Sequence, residues 1–268
     1  MRDFEKFRTI NDLDPNEQLE YARNYMDENI VVIKKHLGVF NLQRLKRGFI
    51  SRIFFRNEEI TVDNDLVETN CCFSLSNLKI PHELFLTTYL MISSNLKVDG
   101  IFRKNAEMET LNECLGIIKC ISSNEIEMYK GIDKIKSKFD IICITEAYKA
   151  MLKVYGLPVI PSSYLEMATR ISRIDDICER KVCSKALIYG LPFLNRKMVE
   201  TVVYVCFMLE EEFRKQQSKC QMDLKGICVT LMPNLFKLEM EKVRIEDIKD
   251  LSDILYFWFR NFREFITI

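Results

Sequence analysis

Arg103 has the clearest capacity for chemistry on another molecule. It closes the run Val98-Asp99-Gly100-Ile101-Phe102-Arg103. Gly100 allows a tight backbone turn, and Ile101 with Phe102 can plug into a core and anchor that turn. An arginine held out on so short a loop offers a permanent, planar, multi-donor cation suited to a phosphate. The plainer reading is a surface arginine beside a buried Ile-Phe pair. Two more cations, Lys149 and Lys153, stand four apart, which stacks them on one helix face opposite Tyr148, Met151 and Tyr155. Their mutual repulsion favours an acidic group nearby; without one they form a solvated face. Asn234 follows Pro233 in Met232-Pro233-Asn234-Leu235-Phe236. Pro233 is expected to break the preceding helix, leaving the Asn234 amide to cap backbone groups or brace another loop.

The elements that must hold these residues are predicted to be helices. Apolar residues recur at helical spacing from Ile80 onward. Pro81 fits a first-turn position, with Phe85, Thr88, Tyr89 and Ile92 on one stripe. Asn105 is a plausible N-cap for a helix carrying Met108, Leu111, Leu115 and Ile118. The lysine-rich stretch 123–138 reads as a loop or short extra helix. Further helices are predicted over 141–155, 164–174, 185–189, 195–216, 223–232 and 245–265, and no alternating strand series is visible. The fold class is therefore all-α. Residues 1–70 form a mostly helical N-terminal extension of unassigned role, with a helix near 15–37, an apolar-basic stretch at 42–56 and a polar boundary at 58–70. Residues 71–268 form the main helical domain.

Composition removes several function classes. Lys plus Arg and Asp plus Glu both number 39, so no overall field draws the chain to nucleic acid or an anionic membrane. Ten cysteines and two histidines contain no Cys-x-x-Cys pair and no zinc-ligand spacing; the thiols read as reduced core residues. The longest apolar run, Val202 to Leu209, is eight residues, against the roughly 20 a membrane span needs. A cytoplasmic location is expected, with no metal site and no signal peptide at the N-terminus.

Order ties the pieces together. Gly-Ile-Phe-Arg at 100–103 is followed by Lys149-x-x-x-Lys153, Leu157-Pro158-Val159-Ile160-Pro161, Leu191-Pro192-x-x-Asn195 and Pro233-Asn234-Leu235. This succession resembles the RhoGAP domain, the GTPase-activating module for Rho-type small GTPases, from about Cys72 to Phe265. Cys72-Phe73-Ser74-Leu75 with Ile80-Pro81 is similar to that domain's lead-in, and Asp140 also fits. The resemblance implies a compact multi-helix RhoGAP-like bundle whose groove takes the switch regions of a GTP-bound Rho-family partner. It makes Arg103 the arginine finger and Lys149, Lys153 and Asn234 the groove residues. GTP and Mg²⁺ would both be carried by the partner, so the chain itself needs no cofactor and is not itself an enzyme. The sequence departs from the family pattern at Lys153 (arginine in the family), Gly226 (asparagine), Ala106 (glycine) and the segment Tyr155-Gly156-Leu157-Pro158. A non-catalytic GTPase-binding adaptor of the same fold is the alternative.

Overall fold

The computed structural model describes residues 5–48, 66–96, 98, 100–154, 159–215, 222–236, 238 and 244–268. Asp99, the segment Tyr155–Pro158, Cys220 and the basic positions Arg52 and Arg56 lie outside them.

Helices dominate. In chain order they are α1 (Pro15–Glu28), α2 (Ile30–Gly48), α3 (His82–Ile92), α4 (Met108–Ser122), α5 (Met128–Lys138), α6 (Ile141–Val154), α7 (Leu165–Ser172), α8 (Ile177–Gly190), α9 (Phe193–Lys215), α10 (Leu224–Leu235) and α11 (Ile245–Ile266). A small antiparallel sheet precedes α3, with β1 (Leu66–Thr69) paired to β2 (Leu78–Pro81) so that Leu66 faces Pro81 and Thr69 faces Leu78. β1 thus occupies the end of the stretch that reads as a polar boundary.

Local chemistry sets many of the ends. Asp14 caps α1 by accepting from the Asn16 and Glu17 amides, with Pro15 in the first turn. Asp140 starts α6 by accepting from the Cys143 amide at 2.8 Å. Asp223 does the same for α10 at the Gly226 amide. Gly38 takes φ +80 inside α2 and bends it, a conformation that costs side-chain-bearing residues energy.

Two expectations change, and one open alternative is resolved. Asn105 is exposed and does not cap α4, whose first residue is Met108 and whose N-cap is Glu107. The loop after Arg103 runs longer than the nearest capping residue suggests. The 85/88/89/92 stripe of α3 is mixed: Thr88 is buried while Tyr89 is 44% exposed, because the face that α3 buries carries Leu84, Thr87, Thr88 and Met91, and α3 packs against α6. Tyr89 instead lies under the Lys136 ammonium at 5.2 Å. The stretch 123–138 contains helix α5, and its Lys138 pairs with Glu113 of α4.

The core is continuous across the described residues. Ile10, Met26, Ile33 and Leu37 share it with residues of α3 to α11. The long helix α9 is sheathed by its neighbours, burying Met198, Val202, Cys206 and Leu209, and Arg196 and Glu200 as well. Phe7 forms an isolated parallel bridge with Ser74, and Thr9 an antiparallel bridge with Thr267. Seven of the nine described cysteines are buried as core groups, whereas Cys178 is exposed and Cys120 half-buried; burial pushes the Cys72 and Cys183 thiols up to about 12.

Candidate functional site

The Arg103 loop is a built turn. Gly100 sits at φ +76, and its carbonyl accepts from the Arg103 amide at 2.8 Å and the Lys104 amide at 2.9 Å. Ile101 and Phe102 are buried to 3% and 2% exposure, so the turn is pinned from below. Arg103 and Lys104 are exposed. Among the sequence-predicted site residues, Arg103 is therefore the one on a loop tip carried by a buried anchor.

Lys149 meets that loop from α6. Its Nζ donates to the Phe102 carbonyl at 3.3 Å, the peptide directly before Arg103, and it forms an ion pair with Glu146 one turn earlier. The Lys149 side chain is only 12% exposed, so it is no solvated face. Lys153, one turn further along α6, is exposed. Spacing alone treats the two lysines alike; the Arg103 loop, folding over one end of α6, separates them. Tyr148 and Met151 are buried as expected.

Asn234 departs from expectation. Pro233 lies inside α10, which runs on to Leu235, so Asn234 is in the helix and not beyond a break. Proline deprives only the carbonyl four residues earlier, that of Val229, and Val229 is 47% exposed, where water can serve it. The Asn234 side chain is buried and donates back to the Thr230 carbonyl at 3.4 Å. α10 nonetheless packs against α6, and the Ile160 amide donates to the Leu235 carbonyl at 2.9 Å, tying the segment after α6 to the end of α10. The structure thus joins the Arg103 loop, α6 and α10 in one region, with Lys149 touching the loop directly and Asn234 held within its own helix.

The profile of the RhoGAP domain matches residues 81–240, more than half of the chain. The chain belongs to the RhoGAP family. Two curated relatives are Rho GTPase-activating protein gacII of Dictyostelium discoideum and Rho-GTPase-activating protein LRG1 of Saccharomyces cerevisiae. The first is 23% identical over 159 residues, 59% of this chain and 18% of that protein. The second is 23% identical over 158 residues, 58% of this chain and 15% of that protein. The chain therefore spans less than a fifth of the length of these relatives. Among solved structures, the BH domain from Graf, the GTPase regulator associated with focal adhesion kinase, aligns with TM-score 0.55 and 17% identity over 69% of this chain and 92% of that one. Human Rho GTPase activating protein 15 aligns with TM-score 0.53 and 16% identity over 69% and 83%. Both carry the RhoGAP-type helical fold seen here. The match covers the Arg103 loop, α6 and α10 together, and it leaves residues 5–48 outside it. Two features of this region escape a reading by motif: the tie from Lys149 to the Phe102 carbonyl, and Glu146 beside it. The acidic group that the Lys149/Lys153 repulsion favours is thus Glu146, but a glutamate three residues before a lysine is too common a spacing to single it out.

No described helix is long and apolar enough to cross a membrane.

Proposed function

We propose that this chain stimulates GTP hydrolysis by a GTP-bound Rho- or Rac-type small GTPase, with Arg103 entering the partner's nucleotide site in trans. The observation that carries the reading is the pinned, exposed arginine of the 100–104 turn within a RhoGAP domain. The partner supplies nucleotide, Mg²⁺ and the water-orienting group. Arg103 offsets charge that builds on the phosphoryl oxygens and the β–γ bridge, and a finger given in trans is worth about 10³–10⁵ in rate, about 4–7 kcal/mol. That gain requires Arg103 to bind the transition state better than the ground state, which a loosely hung loop could not deliver. Lys149 holds the loop, Lys153 presents an exposed cation to the partner, and Asn234 fixes the α10 end against which α6 is seated.

A second reading, a GTPase-binding adaptor without catalysis, draws on Lys153 and Gly226, where the family pattern has arginine and asparagine. Lysine cannot give the bidentate, planar contacts of arginine.

Single-turnover hydrolysis by a panel of Rho, Rac and related GTPases, with the chain and with Arg103→Ala, decides between them. The activator reading expects at least one GTPase to accelerate and the variant to lose nearly all of that gain while still binding. Equal acceleration by the variant would remove Arg103 from the mechanism. Binding with no acceleration by either protein selects the adaptor.

A further inference from the structure

We infer that Glu146 is a positioning residue for the Arg103 loop, acting through Lys149; the inference builds on the activator reading and names a part of the machinery that reading leaves unassigned. Glu146 and Lys149 lie three apart on α6, a spacing that elsewhere in this chain gives ordinary surface pairs. Lys130–Glu127 is exposed to 61% and 58%, and Lys215–Glu212 to 54% and 41%. The Lys149–Glu146 pair differs, with side chains only 12% and 17% exposed. Exposed pairs contribute little, whereas removing one partner of a buried pair strands a charge.

Glu146 Oε1 is buried and makes no well-aligned hydrogen bond, so the neighbouring ammonium charge is what compensates it. The same ammonium donates to the Phe102 carbonyl. A lysine is a point charge on a flexible four-carbon stem, and one facing an acidic partner surface could swing outward to it. Glu146 removes that option by neutralising Lys149 and keeping its Nζ down on the peptide next to Arg103. The carboxylate thus converts a cation that could serve affinity into a brace that serves alignment. Lys153, exposed one turn away, is left to meet the partner.

The test combines kinetics with amide exchange on the full chain. Glu146→Ala and the milder Glu146→Gln are compared with Lys149→Ala, with the double variant Glu146→Ala/Lys149→Ala, and with Glu127→Ala as the exposed-pair control. In the hydrolysis assay, Glu146→Ala is expected to lower the maximal acceleration about tenfold without raising the half-saturating concentration of activator. Glu146→Gln should fall between it and wild type. The double variant should be no worse than Lys149→Ala alone. The Arg103 and Lys104 amides, both bonded to Gly100, should exchange about tenfold faster in Glu146→Ala and unchanged in Glu127→Ala. Unaltered exchange of those two amides, or losses from Glu146 and Lys149 that simply multiply, would overturn the assignment. If the wild-type chain accelerates no GTPase, the activator reading fails while the exchange measurement still decides the role of Glu146.

Discussion

At the scale of single residues, the site depends on a backbone conformation as much as on a side chain. Gly100 at φ +76 supplies the carbonyl that both Arg103 and Lys104 amides use. A Cβ there would also meet the Lys104 Cγ at 3.1 Å. Gly100→Ala is therefore expected to destabilise the fold by about 1–2 kcal/mol in urea denaturation. It should also reduce GTPase acceleration while leaving Arg103 itself present, which separates geometry from charge. Much of this was legible in the chain: a glycine before Ile-Phe-Arg announces a turn, an anchor and an exposed cation. What could not be read is which of two equivalent-looking lysines is covered, since that depends on how a loop over 40 residues earlier folds across α6. Pro233 misleads for a related reason. Proline is read as a helix stop from its missing donor, but one solvent-served carbonyl makes it tolerable within α10.

At the scale of elements, residues 5–48 are tied into the domain by buried charge as well as by apolar packing. Arg196 and Glu200, four apart on α9, are 1% and 0% exposed. Arg196 donates through Nε to Asn11 Oδ1 at 2.8 Å and through Nη1 to the Tyr189 carbonyl at 3.1 Å, and also reaches Gln18 of α1. Burial draws its pKa down to about 10. Glu200 accepts from Asn11 Nδ2 at 2.6 Å and from the Phe73 and Ser74 amides at 2.8 and 2.7 Å. Asn11 thus joins both charges to each other and to the N-terminal segment. Asn11→Ala should cost about 3 kcal/mol in chemical denaturation, because two hydrogen bonds to buried ionised groups are lost together. Helix existence was legible over 141–155, 195–216 and 245–265, where apolar residues recur at helical spacing, but ends were less so: 185–189 is only the tail of α8, and 15–37 spans α1 and part of α2. This network was not legible, because an Arg and a Glu four apart normally signify an exposed pair.

At the scale of the molecule, acid stability should reflect opposing carboxylates. Burial raises the cost of ionising Asp12, yet the Ser76 hydroxyl and the Ser76, Thr9 and Leu75 amides together hold its carboxyl below the ordinary value. A lowered folded pKa gives stability that is complete above the unfolded value, about 3.9, and lost as pH falls through the folded one. Glu200 runs the other way. Burial holds it above the usual range, against donors from Asn11, Ser74 and Phe73, so its contribution is full below the unfolded value and declines as pH rises through the folded one. Denaturation curves between pH 5 and pH 2 should show Asp12→Asn with a shallower loss below pH 4 than wild type. An identical slope would show that Asp12 does not couple the 9–12 turn to the 74–76 segment in acid. The Thr9–Thr267 bridge, beside the Arg263 contact to the Glu5 carbonyl, has a mechanical corollary. Because the bridge is antiparallel, the chain before residue 9 and the chain after residue 267 meet at the same end of it, so tension between them would peel this single contact open instead of shearing it. In a tweezers experiment, that bridge should open at low force, before the Asn11 contacts to Arg196 and Glu200 of α9 give way.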